Sequence, residues 1–223
     1  MSNIPGSQKP FLQEKRFAIS IVKCLMRRNY DRENISNMIK IKEIRPRAYH
    51  LIFDSEYDLT MTFVRPQEFY ESPNPKFRGQ VFTLEDYQDW YSVTYGKGVF
   101  TYTKDWSGFN MPSDVVQDFF AKFVKVLRSK EIALADALQR AGIDVLNPKT
   151  PPYYVMGTSR RASQATVDHE VRHGMFYLIP EYRHAIEEVV VRYRIQGLRS
   201  WLMRAGYARQ VMIDEVQAYV LTG

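Results

Sequence analysis

An α+β fold is expected from three observations. Residues 38–64 hold short apolar runs with period-2 alternation, the mark of strands. The last third shows apolar residues spaced three and four apart between helix boundaries. Hydrophobic residues make up 45% of the 223, and 14% are aromatic, so a core of ordinary size can form and disorder throughout is excluded. The expected layout is an N-terminal antiparallel sheet with its helices, then a helical C-terminal part.

Residues 1–10, with Gly6 and prolines at 5 and 10, read as a flexible lead-in. Apolar residues at 17, 18, 21, 22, 25 and 26 predict a helix over 11–28, with basic residues between them. Residues 38–44, 48–53 and 59–64 follow as strands of an antiparallel meander, and prolines at 66, 73 and 75 mark a loop. The aromatic stretch 81–95 is compatible with helix or strand. Residues 99–103 read as a strand, and 106–112 as a loop because of Gly108 and Pro112. Ser113 and Asp114 look like the cap of a helix running to about 127, and a second helix over 132–139 stops at Gly142. A loop at 147–152 leads to a strand at 153–156 and a helix over 161–177. Pro180 opens another helix that runs to 205, and a last helix covers 209–221. This divides the chain into 11–150, carrying the sheet, and 151–223.

The net charge of +6 sits at the N-terminal end, where residues 1–50 carry 11 Lys/Arg against 4 Asp/Glu. Lys15, Arg16, Lys23, Arg27, Arg28 and Arg32 could line one edge of the first helix and meet an anionic partner, either nucleic acid or a membrane surface. A solvated or protein-docking face is the plainer account of the same charges. The single cysteine, Cys24, excludes an intrachain disulfide and a cysteine-based zinc site. No apolar run reaches the roughly 18 residues that span a bilayer. The apolar stretch 17–22 is followed at once by Lys23, unlike a secretory signal, so a cytoplasmic location is expected.

Chemistry concentrates at residues 169–173, where His169-Glu170-Val171-Arg172-His173 forms an H-E-x-x-H. On a helix, positions i and i+4 share a face, so the two imidazoles can hold one cation at the ~2.0–2.1 Å of a Zn–N bond. Glu170 lies on the adjacent face, where a carboxylate can take a proton from water instead of ligating the metal. With four histidines in the chain, composition alone yields the pattern in roughly a few such chains per thousand. The motif also lies in a segment read as helical without it, since Val167, Val171, Met175 and Leu178 form an apolar line spaced four, four and three apart.

On His169, Glu170 and His173 the chain resembles zinc metallopeptidases of the zincin class, over about residues 153–221. The resemblance implies a Zn²⁺ cofactor, a peptide or protein substrate, Glu170 as general base, and an edge strand beside the active-site helix, a role open to 153–156. The metzincin branch is excluded: position 179 is Ile, and the next histidine is His184. The gluzincin branch takes its third ligand from a Glu on a later helix. Asp214-Glu215-Val216-Gln217-Ala218-Tyr219 resembles that element, which names Glu215, 42 residues after His173, with Ala218 small enough for helices to approach. Asp214 could orient a ligand histidine.

Alternatives remain at this stage. His184 is the other candidate third ligand, a donor to a developing oxyanion, or an ordinary surface residue. Glu187 and Glu188 suit a solvated helix face, and Glu181 the first turn after Pro180. Tyr177, Tyr182 and Tyr219 are candidate phenol donors, and the loop 106–112 either walls the cleft or packs as a plug. Competing with a metallopeptidase are a zincin-like interaction module without catalysis and a basic nucleic-acid-binding protein.

Overall fold

A computed structural model describes residues 39–193, 195–205, 207 and 209–222. The predicted helix over 11–28, with Cys24 and the basic residues between 15 and 32, lies outside the described residues.

Ile39–Arg45 (β1) and Ala48–Phe53 (β2) pair antiparallel, as their alternation predicts. Arg47 takes the left-handed position in the turn between them, with φ 65°, and Glu43 accepts its backbone N–H at 2.7 Å. The expected third strand, 59–64, is instead part of a helix, Glu56–Glu71 (α1). Ser55 caps it by accepting the Asp58 N–H at 3.0 Å, and Glu56 and Asp58 place negative charge in its first turn. Every residue from Leu59 to Phe69 is buried, Pro66 included, so no polar face marks the helical period. Arg65 sits in this buried helix with its Nε donating to Glu131 at 2.8 Å and its other N–H groups to the carbonyls of Phe82 (3.1 Å) and Val126 (2.8 Å).

The ambiguous stretch 81–95 is helical over Leu84–Thr94 (α2), capped by Thr83 on the Asp86 N–H. Residues 99–103 form no strand; a short helix, Tyr102–Asp105 (α3), begins there. The expected loop at 106–112 contains a strand, Gly108–Pro112 (β3). Ser113–Phe123 (α4) starts as predicted, although Pro112 holds the cap position and no side chain caps it. Ser129–Arg140 (α5) follows, ending before Gly142 with φ 84°.

Tyr154–Ser159 (β4) completes a four-stranded sheet in the order β1-β2-β4-β3. β4 runs parallel to β2 and antiparallel to β3. The fold is α+β, but the sheet is mixed rather than wholly antiparallel, and one of its two central strands comes from beyond residue 150. A parallel pair needs a long crossover, and α1 to α5 supply it. Every residue of β4 is buried, because both faces of the sheet are covered. Val155 joins the larger, Phe- and Tyr-rich core, whereas Tyr154 and Met156 pack with Ala48, Val171 and Tyr177 on the other face. Gly157 permits that closeness, since a Cβ there would lie 2.5 Å from the Phe63 ring.

The C-terminal stretch supplies Gln164–Leu178 (α6), Pro180–Arg192 (α7), Gln196–Arg204 (α8), a 3₁₀ turn at Arg209–Val211 and Met212–Thr222 (α9). The helix expected from 180 to 205 is thus broken between Arg192 and Gln196. α6 lies against β3, β4 and α9, while Leu202, Met212 and Val216 tie α8 to α9. Among the described residues, no helix is long and apolar enough to cross a membrane.

Candidate metal centre

α6 begins at Ser163, whose hydroxyl accepts the Thr166 N–H at 3.1 Å. Its buried residues are Glu170, His173 and Gly174, so the side carrying the H-E-x-x-H faces inward and the apolar line of Val171 and Leu178 packs beside it. Gly174 lets the helix lie close to β4: a Cβ there would sit 3.2 Å from the Tyr154 ring. α9 packs against α6 with Ala218 fully buried, the small residue that the approach of two helices requires.

This packing brings His169, His173 and Glu215 together, with one potential ligand atom from each inside a 4.8 Å span. The two Nε2 atoms are 3.1 Å apart, and the Glu215 carboxylate lies 3.7 Å from His173 Nε2 and 3.9 Å from His169 Nε2. His173 Nδ1 lies 2.9 Å from Asp214 Oδ2, and His169 Nδ1 lies 3.4 Å from Thr222 Oγ1. Because the Thr222 hydroxyl donates to the Ala218 carbonyl at 2.7 Å, it is left to accept from Nδ1–H. Both rings thereby have an oxygen beside Nδ1, that of Asp214 as an ion pair rather than an aligned hydrogen bond, and turn Nε2 toward Glu215.

The protein's own charges fit poorly without a cation at that point. Glu215 Oε2 is buried and has no hydrogen-bond partner. Burial pushes the Glu215 carboxyl well up, with Glu71, Asp214 and Glu170 adding to the effect and His173 opposing it. Burial also lowers His173, but Asp214, Glu215 and Glu170 together outweigh it and hold the imidazole at about 10. His169 is pushed down to about 4 by burial and by the charge on His173. Two imidazoles and one carboxylate form a donor set suited to a catalytic zinc, with a coordination position left open.

Glu170 stands beside this group, also buried. Asn110 Nδ2 donates to Glu170 Oε2 at 2.8 Å, and the Tyr154 hydroxyl donates to Asn110 Oδ1, which fixes the orientation of the amide. Burial raises the Glu170 carboxyl, against the pull of His173 and Asn110. Gly108 gives the side chain its space: a Cβ there would lie 2.2 Å from Glu170 Oε1.

These residues line one wall of a cavity of about 320 Å³. Tyr219 lies over His169 at 4.7 Å between ring centroids, and its hydroxyl is 2.9 Å from that of Tyr207. The lining also includes Glu68, Glu71, Tyr102 and Trp106. The segment 106–112 is therefore a cleft wall rather than a plug, and the edge strand beside α6 is β3, not the predicted 153–156, because β4 is interior.

His169, Glu170, His173, Asp214, Glu215 and Tyr219 lie together at one place. His184 does not: it is exposed on α7, 3.5 Å from Glu187. Tyr177 bonds to Ser113 and Asp114, and Tyr182 donates to Gln217 at 2.8 Å, so neither phenol lines the cavity. Glu188 pairs with Arg192 in solvent. Sequence reasoning missed Glu68, Glu71, Gly108, Asn110 and Tyr207. The only local hint was a Gly-Phe-Asn run of loop-like composition. Compared with protein-family models, with curated proteins and with solved structures, the chain finds no match.

Proposed function

We propose that the chain is a zinc-dependent peptidase with His169, His173 and Glu215 as ligands and Glu170 as general base. The observation that carries the reading is the inward convergence of two Nε2 atoms and an otherwise unpartnered carboxylate oxygen, beside a glutamate held by Asn110. Zinc bound there would supply Lewis acidity, drawing the pKa of water toward ~7 and polarising a substrate carbonyl.

The remaining work falls to this chain's residues. Glu170 accepts the proton of the attacking water and passes it to the leaving amine. Asn110 keeps Glu170 Oε2 engaged, so that Oε1 is the oxygen available for the transfer. Tyr219 and Tyr207 bring hydroxyls to the cavity, and burial holds both phenols protonated, as donors to developing negative charge. β3 is the edge of the sheet, so an extended peptide can lie along it. Gln67 already accepts the Asn110 N–H at 3.3 Å, which leaves the Gly108 end for that pairing.

The test is elemental analysis of the natively purified protein together with turnover of a fluorogenic peptide library. About one zinc per chain, lost in His169→Ala, is expected. Glu170→Gln should keep the zinc and lose roughly 10²–10⁴ in turnover. A protein that neither contains nor takes up zinc, or a Glu170→Gln variant with unchanged turnover, overturns the reading.

A further inference from the structure

The cavity is lined by five carboxylates, Glu68, Glu71, Asp105, Glu170 and Glu215, and by no lysine or arginine among the described residues. Glu170 and Glu215 belong to the metal centre. Asp105 accepts the hydroxyls of Tyr91 (2.8 Å) and Thr101 (2.6 Å). Glu68 and Glu71, one turn apart on α1, accept from neutral donors and still leave Glu68 Oε2 unpartnered.

Glu68 is only 6% exposed. Its Oε1 accepts the Tyr102 hydroxyl at 2.6 Å, while Oε2 is buried without an aligned donor. Glu71 receives a single neutral donor, Gln67 Nε2, at 2.5 Å. Glu131 provides the contrast within the same fold: it is buried as deeply, but against Arg65. Burying a carboxylate without a cation costs several kcal/mol, on the order that makes natural cores avoid it. Glu68 is such a group, and the half-buried Glu71 stands beside it on the cavity wall.

The surroundings suit a cation on an apolar stem. A side cavity of about 60 Å³ continues behind the two glutamates, lined by Tyr87, Trp90, Tyr91, Trp106 and Tyr207. Ring faces attract ammonium and guanidinium groups, and methylenes pack against them. We propose that Glu68 and Glu71 form a specificity subsite for a cationic group of the substrate, either a Lys or Arg side chain or a free α-ammonium. The identity of the molecule carrying the cation rests on the peptidase reading; the subsite itself does not.

The probes are N-acetyl-lysinamide, leucinamide and the neutral N-acetyl-norleucinamide, titrated calorimetrically at about pH 7, where the α-amino group is still mostly ammonium, into the full chain, with and without a chelator. Zinc and turnover do not enter this readout, so a failed metal reading leaves it standing. At least one cation should bind ~10-fold or more tightly than the neutral analogue, the worth of one charge-assisted hydrogen bond. Glu68→Gln and Glu71→Gln should each remove most of that preference. Preference for the lysine derivative assigns the subsite to a side chain, and preference for leucinamide assigns it to the substrate N-terminus. Equal binding of all three probes overturns the proposal, as does a preference that persists in both folded variants. Should the variants not fold, the indole N–H resonance of Trp106, which lines both cavities, decides with the unaltered chain: it shifts with the cationic probe or the proposal falls.

Discussion

His173 and Asp214 meet at 2.9 Å, Nδ1 to Oδ2, across the contact between the H-E-x-x-H helix and the C-terminal helix. Asp214 precedes the candidate ligand Glu215, so one turn of α9 supplies both an oxygen for the cation and the group that orients an imidazole. A carboxylate on the far nitrogen makes the near one a better donor. Asp214→Asn preserves the shape and removes the charge. It should weaken zinc binding by roughly 10- to 100-fold, read by competition with a chromophoric chelator. An affinity equal to that of the unaltered chain would deny Asp214 this role.

Gly108→Ala tests the space around Glu170, the proposed general base. The new Cβ would sit 2.2 Å from Glu170 Oε1, so the carboxylate must move or β3 must shift. A displacement near 1 Å costs about 10² in rate when it misplaces a reacting group. Turnover should fall by about that factor while zinc content stays at the level of the unaltered chain.

Glu71 sets a pH dependence. Burial raises its carboxyl from 4.5 to about 7, with Glu68 and Glu170 adding to the effect and Gln67 and His173 opposing it. The folded chain therefore holds this proton more tightly than the unfolded one. The resulting stability is fully present below about pH 4.5 and is lost as the pH rises through about 7. In the chelator-treated protein this is of order 1–3 kcal/mol. Urea midpoints across that window should fall with rising pH, and Glu71→Gln should flatten the slope.

Glu131→Gln addresses the support of α1. Arg65 would keep the carbonyls of Phe82 and Val126 but lose its only buried carboxylate partner. Breaking a buried pair from one side costs about 3–5 kcal/mol. Chemical denaturation should show that loss. Cation binding at Glu68 and Glu71, borne by the same helix, should weaken with it.

The parts of this molecule that were legible in the sequence are those whose signal is local. The i, i+4 histidines and Pro180 each act within a turn or two, and the helices they belong to are present. Glu215 was readable because its helix carries an acidic pair and a small residue at a workable distance. The helix over 56–71 was misread in its middle because burial on every side erases the period that distinguishes helix from strand. β3 was misread as a loop because Gly108 and Pro112 are breakers by composition. Here, however, the Gly meets a packing demand from Glu170, and the Pro closes the end of an edge strand. Asn110 and Glu170 are 60 residues apart, and Glu68 and Tyr102 are 34 apart. No window of sequence contains either pair, so their roles emerge only from the packing.

The position of β4 also orders events during synthesis. Among the described residues β3 pairs with β4 alone, and β2 meets β4 across more than a hundred residues, from Ala48 to Tyr154. Until β4 emerges, the hairpin of β1 and β2 is the one ladder open to the described strands, and an isolated hairpin is marginal in water. The crossover helices must wait with one flank uncovered until residues 154–159 emerge. The histidine helix follows within a few residues and closes the opposite face of the newly completed sheet. The residues of the candidate metal centre are then the last to meet, because Glu215 lies on the last helix described.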